Sequence, residues 1–161
     1  MNLKEHFLYM YSDDFWYSKL DYELLKRAGV DLYALPIRTE KPIIWHLAHI
    51  VHKEEVHVGQ FLERPRRQLL HPELDPLVMA GEGLDVISDL IPDLGFIIEW
   101  HKKVRVATRS FINGLSADDF FVVPDGSPKD LCIANWLAIT QVHTGVHFGH
   151  VDSIIKAQEC S

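Results

Sequence analysis

Histidine is the most unusual feature of this sequence, both in number and in placement. The chain has ten histidines in 161 residues, and seven of them fall in two short windows. These are His46, His49, His52 and His57 in the first window and His143, His147 and His150 in the second. Because residues four apart on a helix share one face, His143 and His147 could direct both imidazoles at one ion. Neutral imidazole is a ligand for zinc, nickel and iron, so the pair predicts a metal site.

A third ligand has to come from the first histidine window. Antiparallel packing of the two helices that carry the windows brings the start of the first beside the end of the second. His49 lies about 12 Å from that start, and His143 and His147 centre about 18 Å from that end, so the heights roughly agree. Parallel packing would place the pair about 25 Å from the matching end, which is a poorer match. Helical rotation keeps His46, His49 and His52 near one side, so spacing alone leaves all three open.

Two common classes of metalloenzyme are excluded by the neighbouring residues. A zinc protease of the HExxH type needs a glutamate after its first histidine, but Thr144 follows His143. A di-iron carboxylate bundle needs two Glu-x-x-His motifs, whereas Glu54 and His57 form only one, and the stretch 131–151 has no carboxylate. The predicted site therefore consists of histidines.

The segment around His49 resembles a known family motif. Residues 42–50 read PIIWHLAHI and are followed by Glu54-Glu55. This pattern resembles the second helix of the DinB-like (damage-inducible B) metalloprotein superfamily and of the related amino-terminal domain of ergothioneine-forming sulfoxide synthases. In those proteins the histidine after Trp-x-Leu-Ala is a metal ligand, which corresponds to His49. A later His-x-x-x-His supplies the other two ligands, which correspond to His143 and His147, and many relatives carry a glycine where Gly149 stands.

The resemblance also implies an activity and its requirements. Characterised DinB-like proteins include metal-dependent thiol S-transferases and a thiol-dependent isomerase, and others are classed as hydrolases. The resemblance thus implies a divalent metal ion, zinc or nickel first and iron as a further candidate. It implies a small-molecule substrate such as a low-molecular-weight thiol. Because relatives often form dimers, it implies a homodimer as well.

Three protein ligands leave one coordination position of the ion open, and an open position is where a metal ion does chemistry. We therefore expect an enzyme that activates water or a small-molecule thiol, either a hydrolase or a thiol S-transferase. The alternative is a non-catalytic stress-response module that binds a metal or a ligand. His150, one turn beyond His147, is the candidate catalytic acid or base, since free imidazole titrates near neutral pH; a histidine at the rim is the alternative.

For other residues near the histidines, the sequence gives less specific predictions. Glu54 and Glu55 could orient a ligand imidazole, or they could belong to a solvated helix face. Three tryptophans are expected in the core, although one could line the mouth of a pocket. These are Trp45, Trp100 and Trp136.

Four helical segments are predicted to position these residues. They run from Leu3 to about Ala28, from Pro42 to about Phe61, from Pro92 to about Ile112 and from Ser127 to about Ala157. About thirty irregular residues between the second and third segments can return along a whole helix and leave that pair parallel. The sequence therefore predicts an all-α, up-down-down-up four-helix bundle in a single domain over residues 1–161.

Composition excludes several classes of function. The formal charge is −7 with no basic stripe, so nucleic-acid binding is not expected. The residues from Met1 to His6 lack the pattern of a secretory signal, and we expect a soluble cytoplasmic protein. The uncharged stretch from Leu131 to Val151 is long enough to span a membrane, but its amides, hydroxyls and imidazoles favour a helix buried inside the protein.

Overall fold

The computed structural model of the protein describes residues 2–12, 29–34, 41–79 and 91–160. These residues form α-helices, 3₁₀ turns and one π-helix, and no strand occurs among them. The α-helices are α1 (Leu3–Met10), α2 (Ile43–Glu55), α3 (Asp75–Met79), α4 (Leu94–Gly114) and α5 (Ile133–Glu159). A π-helix, Val56–Leu62, continues α2 directly. The predicted all-α bundle is confirmed.

The central helix of the fold is α2. All of its residues except Lys53 are buried. It runs antiparallel to α5, because its contacts move backwards along α5: His46 meets His147, His49 meets His143, and His57 on the π-helix meets Thr140. Antiparallel packing is the arrangement in which His49 was expected to lie at the same height as His143 and His147.

Two apolar clusters hold α2, α4 and α5 together. The first cluster includes Ile44 of α2, Ile97 of α4 and Val151 of α5. The second includes Val58 beyond α2 and Ile112 of α4, together with Leu137 of α5 and Phe7 of α1. The amino-terminal ends of α2 and α4 both contribute to the first cluster, and the residues near or beyond their carboxyl-terminal ends contribute to the second. The two helices therefore run parallel. The histidines of α5 lie between its residues of the two clusters, and His46 and His49 of α2 lie among residues of the first cluster, so apolar burial on both sides fixes their level.

The first helix is shorter than predicted. A continuous helix was expected from Leu3 to about Ala28, but α1 ends at Met10 with Tyr11 as its carboxyl-terminal cap. The Tyr9 carbonyl there accepts hydrogen bonds from the amide and the hydroxyl of Ser12, a tight turn that ends the helical pattern. Residues 13–28 lie outside the described residues, so the complete up-down-down-up order stays a prediction.

The last helix begins later than predicted. Ser127 and Pro128 were expected to open it, but residues Pro128–Asp130 form a 3₁₀ turn in which Lys129 and Asp130 have positive φ angles of 65° and 50°. The helix α5 starts at Ile133. The Ser127 hydroxyl does not cap a helix because it accepts a hydrogen bond from Trp136 Nε1 at 2.7 Å.

The crossover between α2 and α4 contains structure that the sequence pattern did not indicate. A 3₁₀ turn, Pro72–Leu74, leads into α3. Pro72 and Pro76 stand in the first turns of these short helices, where a proline costs no hydrogen bond. The short helix packs Val78 into the first apolar cluster and brings its backbone to the histidines of α2.

The described part of the chain contains no helix that combines the length and the apolar character of a membrane span. The uncharged part of α5 has buried residues on one side and exposed residues on the other. Trp136, Leu137, Thr140, Gln141 and Thr144 are buried, whereas residues such as Val142 are exposed.

Candidate metal centre

Three imidazoles meet between α2 and α5. The Nε2 atom of His143 lies 3.3 Å from Nε2 of His49 and 3.2 Å from Nε2 of His147. One nitrogen from each of the three residues falls within 4.8 Å of the other two, an arrangement that could hold a metal ion. We call these three residues the histidine cluster. The structure therefore brings together the three residues that the sequence proposed as ligands.

Neighbouring groups contact the Nδ1 atoms of two of the imidazoles, and one of these contacts fixes which nitrogen carries the proton. His49 Nδ1 lies 2.7 Å from the carbonyl oxygen of Val78, which can only accept a hydrogen bond. His49 therefore carries its proton on Nδ1 and presents a lone pair at Nε2. His147 Nδ1 lies 2.8 Å from Nδ1 of His46. If His147 donates this bond, its Nε2 presents a second lone pair to the same space.

These lone pairs make the cluster suited to a cation. A single proton on His143 Nε2 can bond to His49 or to His147 but not to both at once, so one acceptor nitrogen would stay without a hydrogen bond. A divalent ion satisfies all three nitrogens together. With metal–nitrogen distances of about 2.0–2.1 Å, tetrahedral geometry separates two ligand nitrogens by about 3.3–3.4 Å. The observed separations of 3.2 and 3.3 Å fit that geometry.

Tryptophan and the crossover helix hold His49 in place. The Trp45 ring stacks on the His49 ring with centroids 4.5 Å apart and planes 19° from parallel. The indole Nε1 of Trp45 donates to the Leu77 carbonyl at 3.1 Å. Consecutive carbonyls of α3, those of Leu77 and Val78, thus bind the two stacked rings. Trp45 is buried, as are Trp100 and Trp136, which confirms the prediction that the tryptophans belong to the core.

The environment keeps the cluster imidazoles neutral. Burial lowers the pKa of His49 and of His147 to about 3, and it lowers the pKa of His143 below its ordinary value. For His49 and His147 this shift includes the lowering by neighbouring imidazoles and the Lys53 ammonium, and for His49 the opposing effect of the Val78 carbonyl. Neutral imidazole is the form that binds a metal ion.

The other candidate residues on α2 face elsewhere. His46 lies beside the cluster and contacts His147. The side chain of His52 is fully buried, and its Nε2 lies 2.8 Å from Oδ1 of Asp75 at the start of α3. Of the three alternatives for the third ligand, the structure thus brings His49 into the cluster.

His150 and the two glutamates also have clear positions. His150 is exposed, and its ring stacks on His46 with centroids 5.3 Å apart. Glu54 is buried and forms an ion pair of 2.8 Å with Arg105 of α4. Glu55 is buried and accepts hydrogen bonds from the Leu70 amide at 2.7 Å and from Trp100 Nε1 at 3.0 Å. Both predictions for these glutamates were wrong, because the two side chains neither orient a cluster imidazole nor face solvent.

Sequence reasoning missed two side chains beside the cluster. His57 Nδ1 lies 2.8 Å from the Thr140 hydroxyl, which itself donates to the Trp136 carbonyl, and the ring centroids of His57 and His143 are 6.4 Å apart. Lys53 lowers the pKa of all three cluster histidines. The signal was present, since Lys53 is four residues beyond His49 and His57 is four beyond Lys53.

The fold and the site define a class of protein: an all-helical bundle with a three-histidine cluster between two antiparallel helices. The family model of the DinB superfamily matches residues 23–151. This match covers most of the chain, so the chain belongs to the DinB superfamily. Comparison with curated proteins and with solved structures gives no match. The narrower relation to ergothioneine-forming sulfoxide synthases stays a prediction.

Proposed function

We propose that this protein is a metal-dependent enzyme in which His49, His143 and His147 hold a divalent ion, zinc or nickel first and iron as a further candidate. The observation that carries the proposal is that His143 Nε2 lies 3.3 Å from His49 Nε2 and 3.2 Å from His147 Nε2, two separations that match the spacing of ligands around a tetrahedral ion. Three protein ligands leave the fourth position open to water or to a small-molecule thiol.

A bound divalent ion would lower the pKa of water or of a thiol at that open position and so supply a nucleophile near neutral pH. The side chains and backbone of the protein do the positioning. The Val78 carbonyl sets the proton position of His49, the contact with His46 orients His147, and Trp45 covers one face of His49. We propose either hydrolysis or thiol S-transfer as the reaction.

His150 is the proposed acid or base of this reaction. Its ring is exposed, and it lies next to the cluster, with its centroid 6.1 Å from that of His147. In this position it can exchange a proton with solvent while the cluster histidines stay buried or half-buried.

Metal content of purified variants tests the proposal. We expect one ion per chain in the unmodified protein and in His6→Ala, because His6 is an exposed histidine of α1. His143→Ala and His147→Ala should lose the ion and keep the helical circular-dichroism spectrum. A His143→Ala, His147→Ala double variant that still holds one ion per chain would contradict the proposed ligands.

Coordination of the cobalt-substituted protein separates an enzyme from a non-catalytic module. An exchangeable water at a fourth position supports the enzyme. Four protein ligands with no exchangeable water would remove the basis for catalysis and favour the alternative of a metal-binding stress-response module.

A further inference from the structure

The short helix α3 lies along one face of α2. Three aromatic side chains of α2, spaced by four and then three residues, share this face and contact α3. They are Trp45, His49 and His52. The first binds the Leu77 carbonyl, the second has its Nδ1 atom 2.7 Å from the Val78 carbonyl oxygen, and the third has its Nε2 atom 2.8 Å from Oδ1 of Asp75.

Two of these contacts have the same spacing on both helices. His49 and His52 are three residues apart on α2, and their partners Val78 and Asp75 are three residues apart on α3. Both pairs are therefore separated by a rise of about 4.5 Å. Since the order of the partners is reversed, α3 runs antiparallel to α2. A shift of α3 by one residue, a rise of about 1.5 Å, would displace both contacts at once.

The position of α3 depends on its contacts with α2. The helix has five residues, Asp75–Met79, which is too short for a helix that is stable by itself. The Leu77 and Val78 carbonyls belong to its last turn, where carbonyls have no partner inside the helix and can accept from side chains. Val78 also packs into the first apolar cluster. Apolar packing has no direction, so the polar contacts have to fix the register.

The contact between Asp75 and His52 stands at the first residue of α3. The His52 side chain is fully buried, whereas the Asp75 side chain is half-exposed. A carboxylate can only accept a hydrogen bond, so the contact requires the His52 proton on Nε2. A bond to a carboxylate is stronger than a bond to a neutral carbonyl. The start of α3 is therefore held on α2 by the stronger type of acceptor.

We propose that Asp75 is a positioning residue of the metal centre: by binding His52 it sets the register of α3 on α2, and this register places the Val78 carbonyl at Nδ1 of His49. With that carbonyl in place, His49 carries its proton on Nδ1 and offers its Nε2 lone pair to the ion. The inference rests on the proposed function, because it assigns the orientation of one proposed ligand. Asp75 itself lies outside the histidine cluster.

Zinc affinity, measured by competition with a chromogenic chelator, tests the proposal. Asp75→Ala should bind zinc about tenfold more weakly, the lower end of the usual cost of losing a group that orients a metal-binding imidazole. Asp75→Asn should keep most of the affinity, because its amide oxygen can accept from His52. The matched control is Glu73→Ala, since Glu73 is an exposed carboxylate two residues earlier that contacts His71. It should leave the affinity unchanged.

A double variant assigns the effect to one contact. His52→Phe keeps an aromatic ring at the buried position and removes the donor to Asp75. It should lose about as much zinc affinity as Asp75→Ala. The variant that carries both changes should lose no more than either single variant, because the two changes remove the same contact.

The proton position of His49 separates positioning from a purely structural role. In the metal-free protein labelled with ¹⁵N-histidine, nuclear magnetic resonance distinguishes a proton on Nδ1 from one on Nε2, and loss of the signal in His49→Gln assigns it. We expect the Nδ1 form in the unmodified protein and in Asp75→Asn, and a share of the Nε2 form in Asp75→Ala. A residue that only stabilises the fold would leave this proton position unchanged in the folded protein.

The outcomes also separate this inference from the proposed function. Unchanged zinc affinity in Asp75→Ala overturns the inference, and so does an unchanged proton position of His49 in that variant. A loss in Asp75→Asn as large as in Asp75→Ala overturns it too. If the unmodified protein binds no zinc, nickel or iron, the proposed function fails, and the resonance of metal-free His49 still decides whether Asp75 positions this imidazole.

Discussion

The Nδ1 atoms of His46 and His147 lie 2.8 Å apart and join α2 to α5 beside the histidine cluster. One of these nitrogens must donate and the other must accept. His46 can accept because its own proton can reside on Nε2, and His147 then presents its Nε2 lone pair to the cluster. A residue that the sequence offered as a ligand thus contacts a member of the histidine cluster instead.

Replacing His46 therefore should weaken metal binding without removing the site. We expect His46→Phe to lower zinc affinity about 10–100-fold, the usual cost of losing a hydrogen bond that orients a metal-binding imidazole. His46→Gln should lose less, because its amide oxygen can accept the bond from His147. Competition with a chromogenic chelator measures both affinities.

Two results would contradict this role of His46. Unchanged zinc affinity in His46→Phe would show that the contact does not orient His147. Loss of the ion as complete as in His147→Ala would make His46 a ligand itself.

The sequence predicted which three histidines come together because helical spacing determines the direction in which side chains project. His143 and His147 share a face by their separation alone, and the family motif selected His49. Val78 could not be predicted, since its role depends on a backbone carbonyl of a short helix in a proline-rich crossover. No side-chain pattern marks a backbone carbonyl as a hydrogen-bond partner.

The glutamates of α2 show a second limit of sequence reasoning. An isolated helix with Glu54 and Glu55 side by side looks like a solvated surface, but α2 is buried on nearly all sides. Which faces are buried depends on Arg105 and Trp100, which lie far along the chain on α4. Long-range partners of this kind are absent from any local pattern.

The buried ion pair of Glu54 and Arg105 should be important for stability. Burial raises the pKa of Glu54, and the Arg105 guanidinium opposes that shift. Arg105→Ala would leave a carboxylate in the interior without its partner, and we expect a loss of about 3–5 kcal/mol in the free energy of unfolding. Urea denaturation followed by circular dichroism measures this loss.

An exposed lysine of the same helix provides the control for the Arg105 variant. Lys102 pairs with Glu99 at the surface, so Lys102→Ala should leave the denaturation midpoint nearly unchanged. Equal midpoints for the Arg105 and Lys102 variants would show that the buried pair contributes no net stability.

Gly149 offers a test of helix propensity inside α5. A methyl group added at Gly149 would meet no atom within 4 Å, whereas one added at Gly59 would lie 2.9 Å from Arg67 Nε. Gly149→Ala should therefore raise the free energy of unfolding by about 0.5–1 kcal/mol, because alanine loses less backbone entropy in a helix. Gly59→Ala should lower it. Thermal unfolding compares the two, and a destabilised Gly149→Ala would contradict an open space at that position.

His57 should make the stability of the metal-free protein depend on pH. Burial first, and then Lys53 and neighbouring imidazoles, lower its pKa from 6.5 to about 4. Between these two values the unfolded chain takes up a proton that the folded protein excludes, so the free energy of unfolding falls as the pH falls from 6.5 towards 4. Each such group contributes a slope of about 1.4 kcal/mol per pH unit within that window. Above pH 6.5 this contribution is constant.

Replacing His57 with glutamine should remove one imidazole whose pKa is lower in the folded protein than in the unfolded chain. The hydrogen bond at this position should remain, because the glutamine amide can donate to the Thr140 hydroxyl in place of Nδ1. Urea denaturation at pH 7, 6 and 5 after dialysis against a chelator should give a shallower pH dependence for His57→Gln than for the unmodified protein. His6→Gln, at an exposed position, should not change the slope. Parallel pH curves for all three proteins would mean that His57 takes up its proton in the folded state as readily as in the unfolded chain, which its burial between Thr140 and Trp136 opposes.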